Sequence, residues 1–444
     1  MRAAATTLYR KNGAGMRRER EDRNVATTLI ANATIFDATG SAPFAGHVLV
    51  DGNRIASVLP AAAPQPGADR VIDAAGHFLM PGMTEGHGHL SFENASATEH
   101  LITPTPEEQA FAAARGAKAL IDAGFTSVYG ASEAKLRLGV AVRNEVNAGR
   151  LPGPRIRAGG LEISVTGAMG DESTEHNPRI GPSILVNGPE EMRRAVRFQI
   201  REGVDNIKLD VSGDPFYAWR AGTVGTPATC SPMHYDELKM AVDTAHNLGR
   251  KVNVHTRSVE GSKMCIRAGV DGLLHVEHSD EELLDMMEEA KDRIFVVPTI
   301  DLFHQMVTGG AACAGITAEV AAMMGVPPLV EASIETHTAL RKRGIRHLIG
   351  GDYGFVWAQQ GQQARDLVQF MAYYGYDAAG ALICATRNGG LAMMGDGSLG
   401  TIEAGKLADM ILVDGDVLAD VSILSDTARI TLIMKDGALH KAPA

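Results

Sequence analysis

The sequence predicts an α/β protein, a (β/α)8 TIM barrel that carries a small β-sandwich domain built from both ends of the chain. Short strand-like runs with turn residues occupy the two ends of the 444-residue chain, and strand-like and helix-like segments alternate about eight times between them. This alternation is typical of a parallel sheet with helical crossovers. We expect a disordered extension at residues 1–26, β-sandwich pieces at 27–79 and 397–444, and the barrel at 80–396.

The composition is that of an ordinary soluble globular protein, with 45% hydrophobic and 21% charged residues. The net charge of −11 argues against nucleic acid as a partner, because phosphate contacts require a basic face. No apolar run approaches the roughly 18 residues of a membrane-spanning helix, so we do not expect a membrane as a partner either. Four scattered cysteines predict buried, reduced thiols in a cytoplasmic protein: Cys230, Cys265, Cys313 and Cys384.

The two chain ends predict one shared β domain. At the N-terminal end, residues 28–36 and 47–58 alternate as strands do, and residues 51–53 give an Asp-Gly-Asn hairpin signal. At the C-terminal end, residues 408–414 and 430–439 form a similar pair, the second with an Asp-Gly turn inside it. Neither end is long enough to bury a core alone, so we expect the two to fold together.

The middle of the chain supplies the barrel. Strands are predicted at residues 78–89, 126–129, 156–164, 206–211, 251–255, 272–275, 294–298 and 347–352. Helices are predicted at residues 105–123 (with Thr103 as its cap), 189–202, 235–248, 261–268, 280–290 and 329–343. In such a barrel the functional residues lie at the carboxyl ends of the strands.

Those strand ends carry side chains that bind metals. The first strand ends in His87 and His89, which lie two residues apart and therefore point to the same side. The fifth strand ends in His255, the sixth in His275, and the eighth in Asp352 after two glycines. Because all of these ends meet at one mouth of the barrel, the sequence predicts a metal site there.

The fourth predicted strand carries Lys208 inside an otherwise apolar run. Burying an ammonium group costs several kcal/mol unless the group is paired or neutralised. A lysine that points into a barrel is therefore a candidate for a chemical role.

Together these residues resemble the metal-dependent amidohydrolase superfamily, in its imidazolonepropionase-like and dipeptidase-like branch. The resemblance covers about residues 27–440. It is carried by motifs at residues 79–89 (first strand), 207–213 (lysine strand), 254–261 and 268–275 (the paired histidine strands), 350–352 (aspartate strand) and 400–409 (return to the β domain).

The resemblance implies two divalent metal ions, of which zinc is the expected metal and cobalt or manganese would also suit these ligands. It implies that His87, His89 and Asp352 hold one ion and that His255 and His275 hold the other. Lys208, carboxylated by carbon dioxide, would bridge them.

The resemblance also implies the chemistry, which is hydrolysis of C–N bonds by a metal-bridging hydroxide. Asp352 would act as general base and then as general acid, with Lys208 and His275 completing the catalytic set.

Three positions qualify the resemblance. Glu85 stands where the family has an aspartate two residues before the first histidine. His278 could replace His275 as the sixth-strand ligand, although the interval of 20 residues from His255 favours His275. Met169 stands where the dipeptidase branch has a histidine that contacts the substrate carbonyl.

Met169 favours neutral amides, carbamates or ureas as substrates, as in the molinate and phenylurea hydrolases, which residues 351–357 also resemble. The predicted pocket residues are Met169, Tyr217, Trp219, Arg220, His304 and Tyr353. Arg220 and Arg257 support a different substrate class, that of a dipeptidase-like or carboxypeptidase-like enzyme whose substrates include N-acyl-phenylalanine and ochratoxin-like amides.

Two further functions are compatible with the sequence. One is that of a mononuclear deaminase or cyclic-amide hydrolase on the same fold, which would not need Lys208. The second is that of a non-catalytic scaffold, which would bind no metal. For each kind of enzyme we expect a small-molecule substrate and a homo-oligomer.

Overall fold

A computed structural model describes residues 27–97, 99–173, 175–176, 181–215 and 228–443. The predicted extension at residues 1–26 lies outside the described residues, as do Tyr217, Trp219 and Arg220. The strands are β1 (Thr27–Ile35), β2 (Phe44–Asp51), β3 (Arg54–Pro60), β4 (Arg70–Asp73), β5 (Phe78–Pro81), β6 (Met83–Gly88), β7 (Phe125–Gly130), β8 (Arg155–Arg157), β9 (Glu162–Val165), β10 (Ile184–Val186), β11 (Asn206–Asp210), β12 (Lys251–Thr256), β13 (Gly272–His275), β14 (Phe295–Val297), β15 (Met410–Val413), β16 (Ile430–Lys435) and β17 (Ala438–Lys441).

The helices lie mainly between the strands β6 to β15. They are α1 (Glu99–Ile102), α2 (Pro106–Asp122), α3 (Leu138–Asn147), α4 (Pro189–Arg201), α5 (Tyr235–Asn247), α6 (Val259–Ala268), α7 (Glu281–Glu289), α8 (Ile300–Val307), α9 (Ala318–Met323), α10 (Val326–Lys342), α11 (Arg365–Tyr374), α12 (Ala378–Ile383) and α13 (Gly389–Met394). A π-helical turn, Cys384–Asn388, joins α12 to α13, and short 3-10 helices cover Gly310–Ala314 and Val421–Ser425.

Strands from both chain ends form one continuous sheet, in the order β17-β16-β15-β5-β1-β2-β3 with β4 beside β1. Alternate residues of its strands face opposite sides. Leu79 and Leu412 pack in the small domain's own core, whereas Phe78 and Ile411 pack in the core of the barrel. The central strands β5 and β15 are therefore buried on both faces, which fixes the small domain against the barrel.

Parallel strands β6 to β9 and β11 to β14 build the barrel wall, with β8 and β9 together forming the third barrel strand, and residues 345–349 complete the wall as the eighth segment. This last segment lies between the first and seventh barrel strands. Leu348 N–H donates to Val296 O at 2.9 Å, and Gly86 N–H donates to Ile349 O at 2.9 Å. The eighth segment is therefore bonded on both sides although it is not a regular strand, and the predicted barrel is confirmed.

Several predicted boundaries were wrong for local reasons. Residues 78–89 are two strands, of which β5 belongs to the small sheet and β6 to the barrel. Helix α2 is capped by Thr105 instead of Thr103, because the Thr105 hydroxyl accepts from Glu108 N–H while the Glu108 carboxylate accepts from Thr105 N–H. Helix α10 begins at Val326 because prolines fit the first helical turn, which needs no N–H donors.

The prediction of four buried thiols was half right. Cys265 and Cys384 are buried, whereas Cys230 and Cys313 are exposed, and none of the four forms a disulfide. Exposure follows from position, because Cys230 lies in a loop between β11 and α5 and Cys313 lies in a short 3-10 helix. Among the described residues, no helix combines the length and apolarity that crossing a membrane would need.

Candidate metal centre

Four histidines and one aspartate converge at the carboxyl ends of the barrel strands. The ring centroid of His87 lies 5.0 Å from that of His89 and 5.3 Å from that of His275, and the His255 and His275 centroids are 4.3 Å apart. Ligand atoms of His87, His89 and Asp352 all lie within 4.8 Å of one another. The structure thus brings together five of the residues for which the sequence predicts metal ligation.

The backbone is strained where these side chains enter the barrel mouth. His275 has φ 77°, Asp352 has φ 59°, and Thr299, at the end of the seventh strand, has φ 57°. Positive φ is uncommon for residues other than glycine and is characteristic of sites where surrounding structure imposes the conformation. At the ends of the sixth and eighth strands the residue with positive φ is itself a predicted metal ligand, His275 and Asp352 respectively.

Hydrogen bonds fix which ring nitrogen of His89 and His255 is free. The Nδ1–H of His89 donates to the carbonyl oxygen of Ser132 at 2.9 Å, and the Nε2–H of His255 donates to the carbonyl oxygen of Gly213 at 3.2 Å. A carbonyl can only accept, so in each neutral ring the opposite nitrogen carries the lone pair. Such an anchored histidine is the usual arrangement at metal sites.

His275 is anchored by the same logic through a hydroxyl. Thr299 donates its only hydroxyl hydrogen to the carbonyl oxygen of Pro298 at 2.7 Å, so Thr299 Oγ1 must accept from His275 Nδ1–H. The His275 Nε2 is then a free lone pair. Neither nitrogen of the buried His87 has a hydrogen-bond partner among the described residues.

Burial sets the charge of the histidines. It lowers the pKa of His87, His255 and His275 well below the ordinary value, so these rings are neutral and can act as ligands. Burial alone would raise the pKa of Asp352, but the neighbouring His87 and His89 and the Lys208 ammonium hold it well below its usual range. The site therefore combines the neutral imidazoles of His87, His255 and His275 with the ionised carboxylate of Asp352.

Lys208 lies on β11 with its side chain 1% exposed, inside the same mouth. Its Nζ is 3.7 Å from Glu162 Oε1 and 3.9 Å from Asp210 Oδ1. Burial, followed by the charge of Glu162, raises the pKa of Asp210 well above its ordinary value. Glu162 and Asp210 were not predicted as site residues, since each lies within a strand whose pattern indicates only burial.

These residues fit a divalent metal site. The orphaned nitrogens of His87 are buried, and His89 Nε2 lies 3.1 Å from Asp352 Oδ1, so a ring nitrogen and a carboxylate oxygen face each other in the barrel mouth. A nitrogen and an oxygen at this distance would both reach one cation placed between them. Nitrogen and carboxylate ligands suit zinc and its neighbours in the first transition row.

A cavity of about 50 Å³ adjoins the cluster and is mainly apolar. Its apolar wall consists of Phe92, Met169, Leu302, Phe303, Met306, Phe355 and Trp357. Met169 lies where the sequence placed it, and His275 lines the cavity whereas His278 does not. A larger groove of about 940 Å³ runs along α4 on the outer surface and contains none of the predicted ligands, so its size carries no functional argument.

Two predicted pocket residues lie away from this cavity wall. His304 Nδ1 is bonded to the Tyr373 hydroxyl at 2.7 Å. Tyr353, 1% exposed, donates its hydroxyl to Asp366 Oδ1 at 3.1 Å. Both side chains are engaged with other elements, and neither lines the cavity.

An ion-pair network behind the cavity wall has no counterpart in the sequence predictions. Arg257 is fully buried and pairs with Asp214 and with Glu277. The sequence raised Arg257 as a group that could bind a substrate carboxylate. Its two acidic partners lie 43 and 20 positions away along the chain, so no local pattern could have identified them.

This fold and this constellation define a class of enzyme. The chain belongs to the amidohydrolase family, whose sequence profile matches residues 78–439. It is a hydrolase that acts on C–N bonds. The predicted family, fold class and enzyme class are confirmed.

Individual relatives cover nearly the whole chain. An ochratoxinase of Aspergillus niger is 26% identical over 467 residues, which cover 99% of this chain and 93% of that enzyme. A Xaa-Pro dipeptidase with bound methionine is 27% identical with a TM-score of 0.82, covering 94% of this chain and 100% of the dipeptidase. Molinate hydrolase, 21% identical with a TM-score of 0.74 and 94% coverage of both chains, shares the fold.

Proposed function

We propose that the protein is a binuclear metal-dependent hydrolase of neutral, hydrophobic amides, carbamates or ureas. The observation that carries this proposal is the set of anchored histidines, whose free nitrogens surround one mouth beside an apolar cavity. Xaa-Pro dipeptidase-like activity is the second candidate. It is favoured by the buried Arg257 near the cavity and by the 27% identity to a protein of that name.

In this proposal His87, His89 and Asp352 hold one metal ion, and His255 and His275 hold the second. A carboxylated Lys208 would serve both ions, because it would turn a costly buried cation into an anionic ligand with two oxygens. Zinc, cobalt or manganese would suit the ligand set. The bound ions would lower the pKa of a water molecule to about 7 and polarise the scissile carbonyl.

Asp352 moves the proton. Its carboxylate is 16% exposed, so it reaches the cavity, and its depressed pKa makes it an ionised base at the start of turnover. The carboxylate accepts a proton from the attacking water and delivers it to the departing nitrogen, a role worth about 10²–10⁴-fold in rate. The His89 Nε2 lies 3.1 Å from Asp352 Oδ1, so both atoms would be ligands of the same metal ion.

The cavity wall supports the substrate class. Met169 contributes a thioether, a weak acceptor that packs well against aromatic or alkyl groups. A peptide's terminal carboxylate would require a cation or several donors to be buried there. The Arg257 guanidinium is already occupied by Asp214 and Glu277.

A matched pair of substrates tests the proposal. N-acetylphenethylamine and N-acetylphenylalanine present the same scissile amide and ring and differ in one carboxylate. We expect kcat/KM of the metal-loaded enzyme to favour the neutral compound by tenfold or more, which corresponds to about 1.4 kcal/mol. A tenfold preference for the acid would instead support the dipeptidase-like candidate. A metal-loaded enzyme that cleaved neither compound, and no member of a wider panel of anilides, carbamates, ureas and dipeptides, would contradict both candidate functions.

A further inference from the structure

We propose that Asp214 is a specificity-determining residue, because its carboxylate fills the edge of the Arg257 guanidinium that would otherwise bind a carboxylate on the substrate. Asp214 thereby restricts the enzyme to neutral substrates. The inference rests on the proposed function, which it deepens by naming the residue that excludes acids.

A single oxygen of Asp214 occupies one edge of the Arg257 guanidinium. The Nε and Nη2 atoms of Arg257 lie 2.9 and 2.8 Å from Asp214 Oδ2, so one carboxylate takes both donors of that edge. The Nη1 atom on the opposite side pairs with Glu277. The guanidinium presents its donors in a rigid fork that matches a carboxylate, and this fork is filled from within the protein.

The position of Asp214 makes it the boundary between the arginine and the cavity. Asp214 and Phe303 both line the cavity, whereas Arg257 does not. The Arg257 guanidinium carbon lies 4.7 Å from the centroid of the Phe303 ring. Among the described residues, one carboxylate and one aromatic ring cover the cation on the cavity side, and removal of the carboxylate would expose the Nε and Nη2 donors.

The loop that carries Asp214 is held in place by neighbouring contacts. The Ser212 hydroxyl accepts from Arg257 N–H at 2.7 Å, and the Gly213 carbonyl accepts from His255 Nε2–H at 3.2 Å. Three successive loop residues thus bind the end of β12. Because the same residues anchor a predicted metal ligand, Asp214 has a fixed relation to the metal centre.

Charge adds to this steric exclusion. One guanidinium faces two carboxylates, those of Asp214 and Glu277. This group has no positive charge left over with which to bind a third carboxylate. A substrate acid would have to displace Asp214 from Arg257 and so separate a buried ion pair, which is strongly unfavourable.

The test compares two variants with the wild type on the matched pair of substrates. In Asp214→Ala the fork is open, and in Asp214→Asn the size is kept while the charge is lost. We expect the ratio of kcat/KM for N-acetylphenylalanine to that for N-acetylphenethylamine to rise tenfold or more in Asp214→Ala and by a smaller factor in Asp214→Asn. Adding Arg257→Met to Asp214→Ala should return the ratio to the wild-type value.

Leu302→Ala is the matched control, because it enlarges the same cavity without touching the ion pair. Its two kcat/KM values should change together and leave the ratio within about twofold of wild type. An unchanged ratio in both Asp214 variants would overturn the inference, as would a rise that persists after Arg257→Met is added.

A binding measurement separates this inference from the proposed function. Dissociation constants for both compounds are measured by calorimetry in an Asp352→Asn background. Turnover is expected to be very slow in this background, so the measurement reports binding alone. A selective gain in affinity for the acid on adding Asp214→Ala would support the role of Asp214 even if the wild type cleaved neither compound. The absence of that gain would refute the role even if the wild type cleaved both.

Discussion

Lys208 is the residue whose chemistry is hardest to explain without a bound metal. An ammonium group that is 1% exposed can remain charged only beside anions, and Glu162 and Asp210 lie at 3.7 and 3.9 Å, beyond ordinary hydrogen-bond lengths. At these distances neither carboxylate forms a hydrogen bond with Nζ, so the nitrogen is available for carboxylation. Carboxylation and metal binding would replace this poorly solvated cation by an anionic ligand, which has the lower free energy in a buried site.

Lys208→Ala should therefore lose most of its bound metal and most of its activity. Metal content is measured by mass spectrometry after desalting, and activity with a neutral amide. Acetate or propionate in the buffer should partly restore both, since a short acid fits the space and supplies the missing carboxylate. Lys239→Ala, which removes an exposed lysine of α5 paired with Asp243, should change neither. Full metal content in Lys208→Ala would contradict the bridging role.

Asp352→Asn tests the proton transfer separately from metal binding. The amide keeps the shape and one oxygen donor, but it cannot accept a proton at neutral pH. Turnover should fall about 10²–10⁴-fold while the folded protein retains much of its metal. The exposed Asp243→Asn is the control for loss of one negative charge. Turnover close to wild type in metal-loaded Asp352→Asn would remove Asp352 from the proposed mechanism.

Between elements, a chain of buried hydrogen bonds runs from helix to strand end and fixes His275. The carbonyl of His275 accepts from His337 Nε2–H at 2.7 Å, so His337 Nδ1 must accept from His347 Nε2–H at 3.0 Å. The His347 Nδ1 then accepts from the Tyr376 hydroxyl at 2.9 Å. Because the His275 carbonyl can only accept, the direction of every hydrogen bond in this series is determined. The series of hydrogen bonds also supports the strained φ of His275.

This chain gives the protein a specific pH dependence. Burial lowers the pKa of His337 to about 3, against an ordinary value of about 6.5. Between these values the unfolded chain binds more protons at this site than the folded chain, so the free energy of unfolding falls as the pH drops below about 6.5. The slope contributed by one such histidine is about 1.4 kcal/mol per pH unit.

His337→Phe should lack this contribution. In metal-free protein, urea unfolding at about pH 6.5 and pH 5 should show the wild type losing stability relative to His337→Phe by up to about 2 kcal/mol. His100→Phe, at an exposed histidine, should follow the wild type. Parallel pH profiles for wild type and His337→Phe would show that His337 is not held neutral in the folded protein.

The elements also show how far the sequence could predict the structure. The strand ends, and the side chains that meet there, were predictable because alternation and turn residues are local signals. The third barrel strand was predicted as one run, yet it is divided between β8 and β9, with Gly159 passing so close to β7 that a Cβ there would lie 2.5 Å from Ala131 O. Close approaches of this kind, like the ion pairs of Arg257, depend on segments that are distant in sequence. They therefore produce no periodic pattern from which they could be predicted.

At the scale of the whole molecule, polar contacts join the small domain to the barrel beside the apolar sheet face. Arg155 on β8 places its Nη2 atom 3.3 Å from Asp409 Oδ1 and 3.1 Å from Asp436 Oδ1. Lys435 Nζ donates to the carbonyl of Gly153 at 2.7 Å. The Asp409 side chain is 0% exposed, and burial raises its pKa although Arg155 opposes the shift. Arg155 is thus the main cation for a carboxylate that solvent does not reach.

Arg155→Met should consequently destabilise the entire protein by about 3–5 kcal/mol at pH 7, because removing one partner leaves a buried charge without compensation. Both domains share the sheet, so urea should unfold the variant in a single transition at a lower midpoint.

Arg150→Met removes an exposed pair with Glu145 and should scarcely move the midpoint. The defect of Arg155→Met should also shrink towards pH 5, since protonation of Asp409 removes the unpaired charge. A defect that is independent of pH would attribute the loss to packing of the arginine stem, and an unchanged midpoint would show that Asp409 needs no cation to remain buried.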